Sequence, residues 1–321
     1  MNGRYEHIPV LSDRIVELLV SNPNGCYVDG TLGGAGHARA ILERLASGGS
    51  LVGFDKDEQA LEASLHALSK SVDRVSFVHG DFMQMTTGLL NLNIDAVDGI
   101  LLDLGVSSHQ IDTAERGFSY MHDGPLDMRM DSSNSITAHA IVNEASAPEL
   151  ERIFQQYGEE RLARSIANGI VKARNDGPID STLQLVGIIK LSVRRGPLYK
   201  SCARIFQAIR IAVNKELDSL SQAVSDAVDL LRTGGRMVVL TYHSLEDRAV
   251  KHTFRDLARS CICPPGIPQC ICEHEAKVRV ITKRPLYPSS EEISANPRAR
   301  SAKLRCVERL LVSSQAGPKS N

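Results

Sequence analysis

No stretch of this 321-residue chain approaches the ~20 consecutive apolar residues that a membrane-spanning helix needs, so no membrane span is expected. The first residues, Met1-Asn2-Gly3-Arg4-Tyr5-Glu6-His7, lack an apolar signal region and carry an acid early; no targeting peptide is expected either. A disulfide framework is missing too. Seven cysteines is an odd number, and Cys26, Cys202 and Cys306 are scattered. That usage fits a reducing, cytoplasmic setting. Nor is there net positive charge: 37 Lys and Arg against 38 Asp and Glu leave −1. The balance argues mildly against a nucleic-acid binder that works through overall charge, although local clusters matter more than the sum. Internal repeats are absent.

Hydrophobic residues make up 42%. That is enough for a normal core in one large domain with an insertion, or in two modest domains. Short strands are expected at 26–29, 51–54, 75–78 and 97–102, the last apolar enough to be buried on both faces. Helices alternate with them. One is capped by Ser12 and has Ile15, Val16, Leu18 and Leu19 apolar. Another covers 57–68, with Ala60, Leu61, Leu65 and Leu68 on one face. This rhythm predicts an α/β fold with a parallel, doubly wound sheet. It stops over 113–135, a segment rich in Gly, Asp, Ser and Met. Ser146-Ala147-Pro148-Glu149, a capping box with proline in the first turn, then opens a purely helical pattern. A long helix is expected from about 203 to 231, stopped by Gly234-Gly235. Strand patterns return at 236–242, 278–282 and 304–310. The economical architecture is a discontinuous sheet domain over 1–112 and 216–321. A loop and helical insert over 113–215 interrupts it between strands 4 and 5. The insert emerges near the carboxyl ends of the strands, where open α/β sheets bind ligands, and so is expected to shape substrate access.

Asp29-Gly-Thr-Leu-Gly33-Gly34-Ala35-Gly36-His37 joins a strand to a helix, the context of a nucleotide-binding turn. A dinucleotide fingerprint needs a third glycine, and His37, Ala38 and Arg39 follow Gly36 instead. Asp29 would repel a pyrophosphate. It suits a cofactor with an ammonium group, which points to S-adenosylmethionine. Asp55 ends the next strand, where an acid takes ribose hydroxyls. Phe82 follows the third strand and is placed to pack on an adenine.

The fourth strand ends in Asp103-Leu-Gly-Val-Ser107-Ser108-His109-Gln110. Polar groups at this place suit transfer to an exocyclic base amine. Such an amine is a poor nucleophile because its lone pair is delocalised, and nearby acceptors help it pyramidalise. Here the sequence resembles the RsmH (MraW) family. The likeness rests on His7-Ile-Pro-Val-Leu11, the 29–37 turn, Asp103-Leu-Gly-Val-Ser-Ser, and the block from Arg116-Gly-Phe through Asp127-Met-Arg-Met-Asp131. It continues in Tyr157-Gly-Glu-Glu-Arg161, the block from Phe206 to Asn214-Lys-Glu216, His243-Ser-Leu-Glu-Asp-Arg248 and Asn296-Pro-Arg-Ala-Arg300. These blocks span nearly the whole chain in order.

The resemblance implies a class I, Rossmann-like methyltransferase with a mostly parallel seven-stranded sheet and a helical insert. It implies S-adenosylmethionine-dependent methylation of the N4 amine of a cytosine in the decoding region of 16S ribosomal RNA, with the small subunit (30S) particle as partner. It implies cofactor contacts from Gly34, Ala35, Gly36, His37, Asp55, Phe82, Asp103 and Gln110, to which the turn itself adds Asp29. Catalytic candidates are Asp103, Ser107, Ser108 and Asp127, with Asp131 and Arg129 shaping a pocket. His243 either faces the same cleft or is a hydrogen-bonded structural histidine. Methylation of another nucleic acid or of a protein is the alternative, followed by a binding module without catalysis and an NAD-dependent oxidoreductase.

Two further clusters stand out. Cys261-Ile-Cys263 and Cys270-Ile-Cys272 flank a proline-rich turn. Four thiolates suit tetrahedral zinc, but one intervening residue is tight for a zinc site. A reducible disulfide pair and unligated thiols are the other readings. Arg194, Arg195, Lys200 and Arg204 in the insert are candidate RNA contacts; solvated faces are the plain reading of these and of the basic runs at 277–284 and 298–305.

Overall fold

The computed structural model describes residues 9–193, 196–264, 271, 272 and 274–311. The chain forms two compact units, Met1–Gly105 with Ser219–Asn321, and Val106–Asp218. The divisions fall at 105/106 and 218/219; the sequence pattern placed them at 112/113 and 215/216.

The first unit begins with α1 (Ser12–Leu19), whose Ile15 and Leu19, four residues apart, are buried on one face. Ser12 is not its cap. Leu11 holds the capping position at φ 53°, and its backbone N–H donates to Glu292 Oε1. A distant carboxylate thus holds the capping residue, and no side chain caps the first turn. Next come β1 (Cys26–Asp29), α2 (Gly36–Arg44), β2 (Ser50–Asp55), α3 (Glu58–Ala67), β3 (Val75–His79), α4 (Met85–Asn91) and β4 (Val97–Asp103). Within α3, Leu65 is 54% exposed and Ser64 is buried, so the inward face is rotated by one residue from the expected one. Ser64 Oγ donates to the Gly33 carbonyl at 2.9 Å, and that bond selects the face.

The second unit holds α5 (Ser108–Asp112), α6 (Ala138–Glu144), α7 (Ala147–Gln156), α8 (Ala163–Ala173), α9 (Thr182–Ser192) and α10 (Leu198–Asn214). Its core includes Phe154, Ile166, Ile170, Ile189, Ile205 and Ile209, with the pairs in α8 and α10 each four apart on one helix face. Ser146 Oγ accepts from Glu149 N–H to start α7, and Ser181 and Gln184 form a capping box for α9.

The expected long helix is two helices. α10 ends at Asn214, Lys215 adopts φ 51°, and α11 (Leu220–Asp229) starts afresh in the first unit. The apolar spacing runs on across this gap, which is why the pattern reads as continuous. What breaks the helix is Asn214. Its side chain donates to the carbonyls of Met128 and Arg210 and accepts from Met130 N–H. Gly234-Gly235 is not a helix stop either. It lies inside β5 (Leu231–Thr241), where the register against β4 shifts between Val97 and Gly99. Gly234 sits at φ 82° and a Cβ on Gly235 would stand 2.9 Å from the Arg232 carbonyl, so the pair forms a bulge. The chain closes with α12 (Ser244–Leu257), β6 (Val278–Val280), α13 (Ser290–Ala295) and β7 (Lys303–Arg309).

Among the described residues the strands form one seven-stranded sheet, ordered β3-β2-β1-β4-β5-β7-β6. β7 runs antiparallel to β5 and β6, and the other pairs are parallel. From β1 the chain winds outward through β2 and β3, then returns to lay β4 on the other side of β1. That reversal opens a crevice at the carboxyl ends of β1 and β4. Asp29 and Asp103 are the last residues of those strands.

Asn214→Ala removes three hydrogen bonds, two of which tie α10 to the 128–130 segment. It should cost ~2–4 kcal/mol of stability by denaturant titration and speed amide exchange at Met130. Unchanged stability and exchange would show the tie to be dispensable.

Candidate active site

The 29–37 turn is shaped by close packing rather than by uniform glycine freedom. A Cβ on Gly30 would lie 2.4 Å from Leu102 Cδ2, so the turn can leave β1 against β4 only with glycine there. Gly33 and Ala35 both take the left-handed conformation, at φ 50° and 60°. Ala35 is wholly buried, and its packing offsets a conformation that costs a non-glycine residue about 1 kcal/mol. A Cβ on Gly34 would meet nothing within 4 Å: this stretch of backbone faces open space and can be approached closely.

The bent turn delivers N–H groups to acids at the strand ends. Gly33 N–H donates to Asp55 Oδ2 at 2.8 Å, and Asp57 N–H to Asp55 Oδ1 at 2.9 Å. Each carboxylate oxygen keeps a second lone pair for a hydroxyl donor. Burial raises the Asp55 pKa, and the two backbone bonds oppose that. Phe82 opens a short helical turn after β3 and is half-buried.

Asp29 is the more severe case. Its side chain is completely buried, and its pKa is pushed up to about 7. Burial is the main cause; the His37 charge and the Thr31 N–H bond pull it back. Oδ1 accepts that N–H at 3.1 Å, while Oδ2 is buried with no hydrogen-bond partner. An unpartnered buried carboxylate oxygen is costly unless a ligand meets it. A cationic ammonium fits the position.

His37 Nε2 lies 3.4 Å from Asp103 Oδ2. Burial lowers the imidazole pKa, but Asp103, Asp29 and Glu292 together outweigh it and the net shift is upward. Asp103 is fixed by its own N–H, which donates to Thr31 Oγ1 at 2.7 Å. Its Oδ1 is buried and has no hydrogen-bond partner. Sequence reasoning missed Thr31, Ser64, Glu292 and Tyr242. Burial, then the Asp103 carboxylate, raises the Tyr242 pKa well above its ordinary value, so toward that carboxylate the phenol acts as a donor. Its position just past β5 was the available signal, since sites in such sheets gather at strand ends.

His243 makes the contacts of a structural histidine, and its Nε2 is buried with no hydrogen-bond partner. It caps α12 in a box with Glu246: Nδ1 accepts from Glu246 N–H at 3.4 Å, and Glu246 Oε2 accepts from His243 N–H.

In the second unit, Ser107 Oγ accepts from Gln110 N–H, and Gln110 Oε1 accepts from Ser107 N–H. The two side chains form a capping box for α5, and Ser108 is half-buried beside them. Asp127 takes the Arg129 guanidinium in a fork, at 2.9 Å from Nε and 2.7 Å from Nη2. Arg129 also donates to the Ser132 and Asn134 carbonyls. Asp131 accepts from Ser133. These acids hold their own loop. Gly117, at φ 70°, and Gly124 belong to the same construction, for a Cβ on either would collide with a backbone carbonyl. Arg204 Nη1 lies 3.5 Å from the buried Glu160, and Lys200 is exposed on α10. Arg194 and Arg195 lie outside the described residues, as does Cys270. The sulfurs of Cys261, Cys263 and Cys272 come together.

A sheet of this order, with acids ending β1, β2 and β4 and a glycine-rich turn between β1 and α2, defines a class I S-adenosylmethionine-dependent methyltransferase. Residues 4–310 match the model of the MraW methylase family, and the chain belongs to that family. Ribosomal RNA small subunit methyltransferase H of Pelobacter propionicus is 50% identical over 95% of this chain and 99% of that protein. Its namesake in Geobacter sulfurreducens is 52% identical with the same coverage. That of Finegoldia magna is 47% identical over 96% of this chain and 99% of that protein. Among solved structures, an rRNA methylase from Streptococcus thermophilus aligns at 12% identity over 94% of each chain with a TM-score of 0.39, too slight a likeness to add to the assignment. Among the described residues no helix is long and apolar enough to cross a membrane.

The Asp29 pKa stands above its ordinary value of 3.8, at about 7. The folded protein therefore keeps a proton that the unfolded chain releases between about pH 4 and 7, and this group's contribution to stability falls as pH rises through that window. Asp29→Asn cannot ionise, yet its amide oxygen can still accept from Thr31 N–H. The cofactor-free variant should gain ~1–3 kcal/mol over wild type at pH 8 and little at pH 4.5, measured by urea denaturation. An equal difference at both pH values would refute a buried, strained carboxylate.

Proposed function

We propose that this protein transfers a methyl group from S-adenosylmethionine to the exocyclic N4 amine of a cytosine in the decoding region of 16S ribosomal RNA, in the cytoplasm and on the 30S particle. The observation that carries the reading is the pair of unpartnered buried carboxylate oxygens, Asp29 Oδ2 and Asp103 Oδ1, at the two strand ends that flank the crevice. Relatives named ribosomal RNA small subunit methyltransferase H, about 50% identical over nearly their whole length, support the choice of RNA. The N4 amine follows from the resemblance to the RsmH family together with the acceptors at the end of β4.

Each residue has a distinct part. Asp29 Oδ2 takes the cofactor's ammonium group, and Asp55 the ribose hydroxyls. Phe82 packs on the adenine. Gly34, Ala35 and Gly36 supply backbone that can be approached closely, and His37 balances the acids around it. Gln110 contributes to cofactor binding through the α5 turn it helps to build. When bound, the cofactor supplies a methyl group on a sulfonium, which is a good leaving group.

The remaining chemistry belongs to the chain. Asp103 Oδ1 accepts an amine N–H, which shifts electron density toward nitrogen and favours the pyramidal form with a usable lone pair. Backbone groups of 104–108, with Ser107 and Ser108, orient the base, and positioning provides much of the rate. Asp127, through Arg129, fixes its own loop within the 106–218 unit. The 106–218 unit is the substrate-recognition part, with Lys200, Arg194, Arg195 and Arg204 as its RNA contacts.

Incubation with labelled S-adenosylmethionine and either assembled small subunits or naked RNA tests the reading. Label should enter the particle's RNA, and nucleoside mass spectrometry should find it as N4-methylcytidine. Label in protein, in another base, or nowhere would refute the assignment. Asp103→Ala should lower kcat/KM by ~10²-fold or more with cofactor affinity within about tenfold of wild type; full turnover would remove Asp103 from the mechanism. Asp29→Asn, more stable without cofactor, should bind S-adenosylmethionine at least ~10-fold more weakly by calorimetry; undiminished affinity would separate Asp29 from the ammonium.

A further inference from the structure

Between α12 and β6 lies an excursion whose described residues form no helix or strand. The excursion is closed at its base by Lys277 N–H, which donates to the Leu257 carbonyl at 2.8 Å. None of the described residues between 258 and 276 is buried. Ile262 and Ile271 are 58% and 75% exposed. Apolar burial therefore does not hold this segment together.

Sulfur does converge there. The Sγ atoms of Cys261, Cys263 and Cys272 all lie within 4.8 Å of one another. Cys261 and Cys272 stand 3.8 Å apart, far beyond the ~2.05 Å of a disulfide. In a tetrahedral zinc–thiolate site with bonds of ~2.3 Å, two sulfurs are separated by ~3.8 Å. The backbone is arranged around the same three atoms. Ile262 N–H donates to Cys272 Sγ at 3.4 Å, Cys263 N–H to Cys261 Sγ at 3.4 Å, and Ile271 N–H to Cys263 Sγ at 3.5 Å. Each sulfur thus accepts a main-chain N–H, the arrangement that stabilises negative charge on a ligand thiolate. The one-residue spacing is accommodated because Cys263 N–H turns back onto Cys261 Sγ.

We propose that Cys261, Cys263 and Cys272 bind a structural zinc ion, which staples the excursion in place of a hydrophobic core. Three sulfur donors select a soft or borderline metal over magnesium or calcium. One tetrahedral position is left for a further donor. The site is separate from methyl transfer and stands or falls independently of it.

The test uses the full chain, produced in zinc-supplemented medium and purified without chelators or metal resins. Elemental analysis should find about one zinc per chain. Replacement by cobalt(II) should give the intense visible bands of tetrahedral thiolate coordination together with sulfur-to-metal charge transfer. Cys261→Ser and Cys272→Ser should each lower bound zinc at least ~10-fold, whereas Cys202→Ala, buried in the helical unit, should leave it unchanged. Sub-stoichiometric zinc in the wild-type protein, iron in its place, a cobalt spectrum without thiolate bands, or full zinc retention in both serine variants would each overturn the proposal. The wild-type metal content and cobalt spectrum decide the matter even if a variant fails to fold.

Discussion

Three carboxylates at the ends of adjacent parallel strands, Asp29, Asp55 and Asp103, set the terms for the rest of the sheet domain. Burial makes Asp29 costly to ionise, and the neighbouring charges of Asp103 and Asp55 add to that cost. The fold answers with one imidazole, His37, and with N–H groups from the 29–37 turn. Those N–H groups face the acids only because Gly33 and Ala35 take left-handed conformations. Ser64 on α3 holds the Gly33 carbonyl in place. The backbone strain of the turn and the charge balance of the crevice are thus one arrangement, and neither can change without the other.

The sheet was legible because its evidence is local. Val97 to Leu102 are all buried, and the apolar Val97, Ile100, Leu101 and Leu102 make the strand recognisable without knowledge of its neighbours. The acids at the strand ends were legible for the same reason, since a strand that ends in Asp can be read from one segment. The errors came where a distant group decides a local outcome. Leu11 rather than Ser12 opens α1 because Glu292, 281 residues away, takes its N–H. Ser64 rather than Leu65 faces inward because of a carbonyl 31 residues back. The helix ends at Asn214 because that side chain binds a loop 84 and 86 residues upstream. No periodicity records such partners.

The family motifs behave in the same way. Several of the residues that carry the resemblance hold scaffold together. Asp127 and Arg129 brace one loop. Arg210 clamps Glu216 at 2.9 and 2.8 Å. His243 and Glu246 cap one helix, and Asp247 holds Arg305 at 2.7 Å. A motif marks where substitution is costly. It does not say whether the cost falls on folding or on chemistry, and charged residues are misread most easily because they serve both. Burial and partner count separate the cases. A carboxylate whose two oxygens are both taken up by a guanidinium, as in Asp127, has little left for a substrate. One with a buried, unpartnered oxygen has acceptor capacity that folding alone does not use.

By that criterion Asp29 and Asp103 differ from the other acids, and they also differ from each other. Asp29 is sealed, and its unpartnered oxygen calls for a lasting cationic partner, as a cofactor's ammonium would be. The Asp103 side chain is 25% exposed. It has His37 on Oδ2, the Tyr242 phenol as a donor toward the carboxylate, and an open Oδ1. With His37 at Oδ2, the unpartnered Oδ1 is left as an acceptor, which suits a group that meets a new amine in each turnover. Tyr242 completes that polarity. It directly follows β5, the strand beside β4, where Asp103 pairs with Leu240. The same reversal of strand order that creates the crevice therefore also brings in the residue that orients its acid.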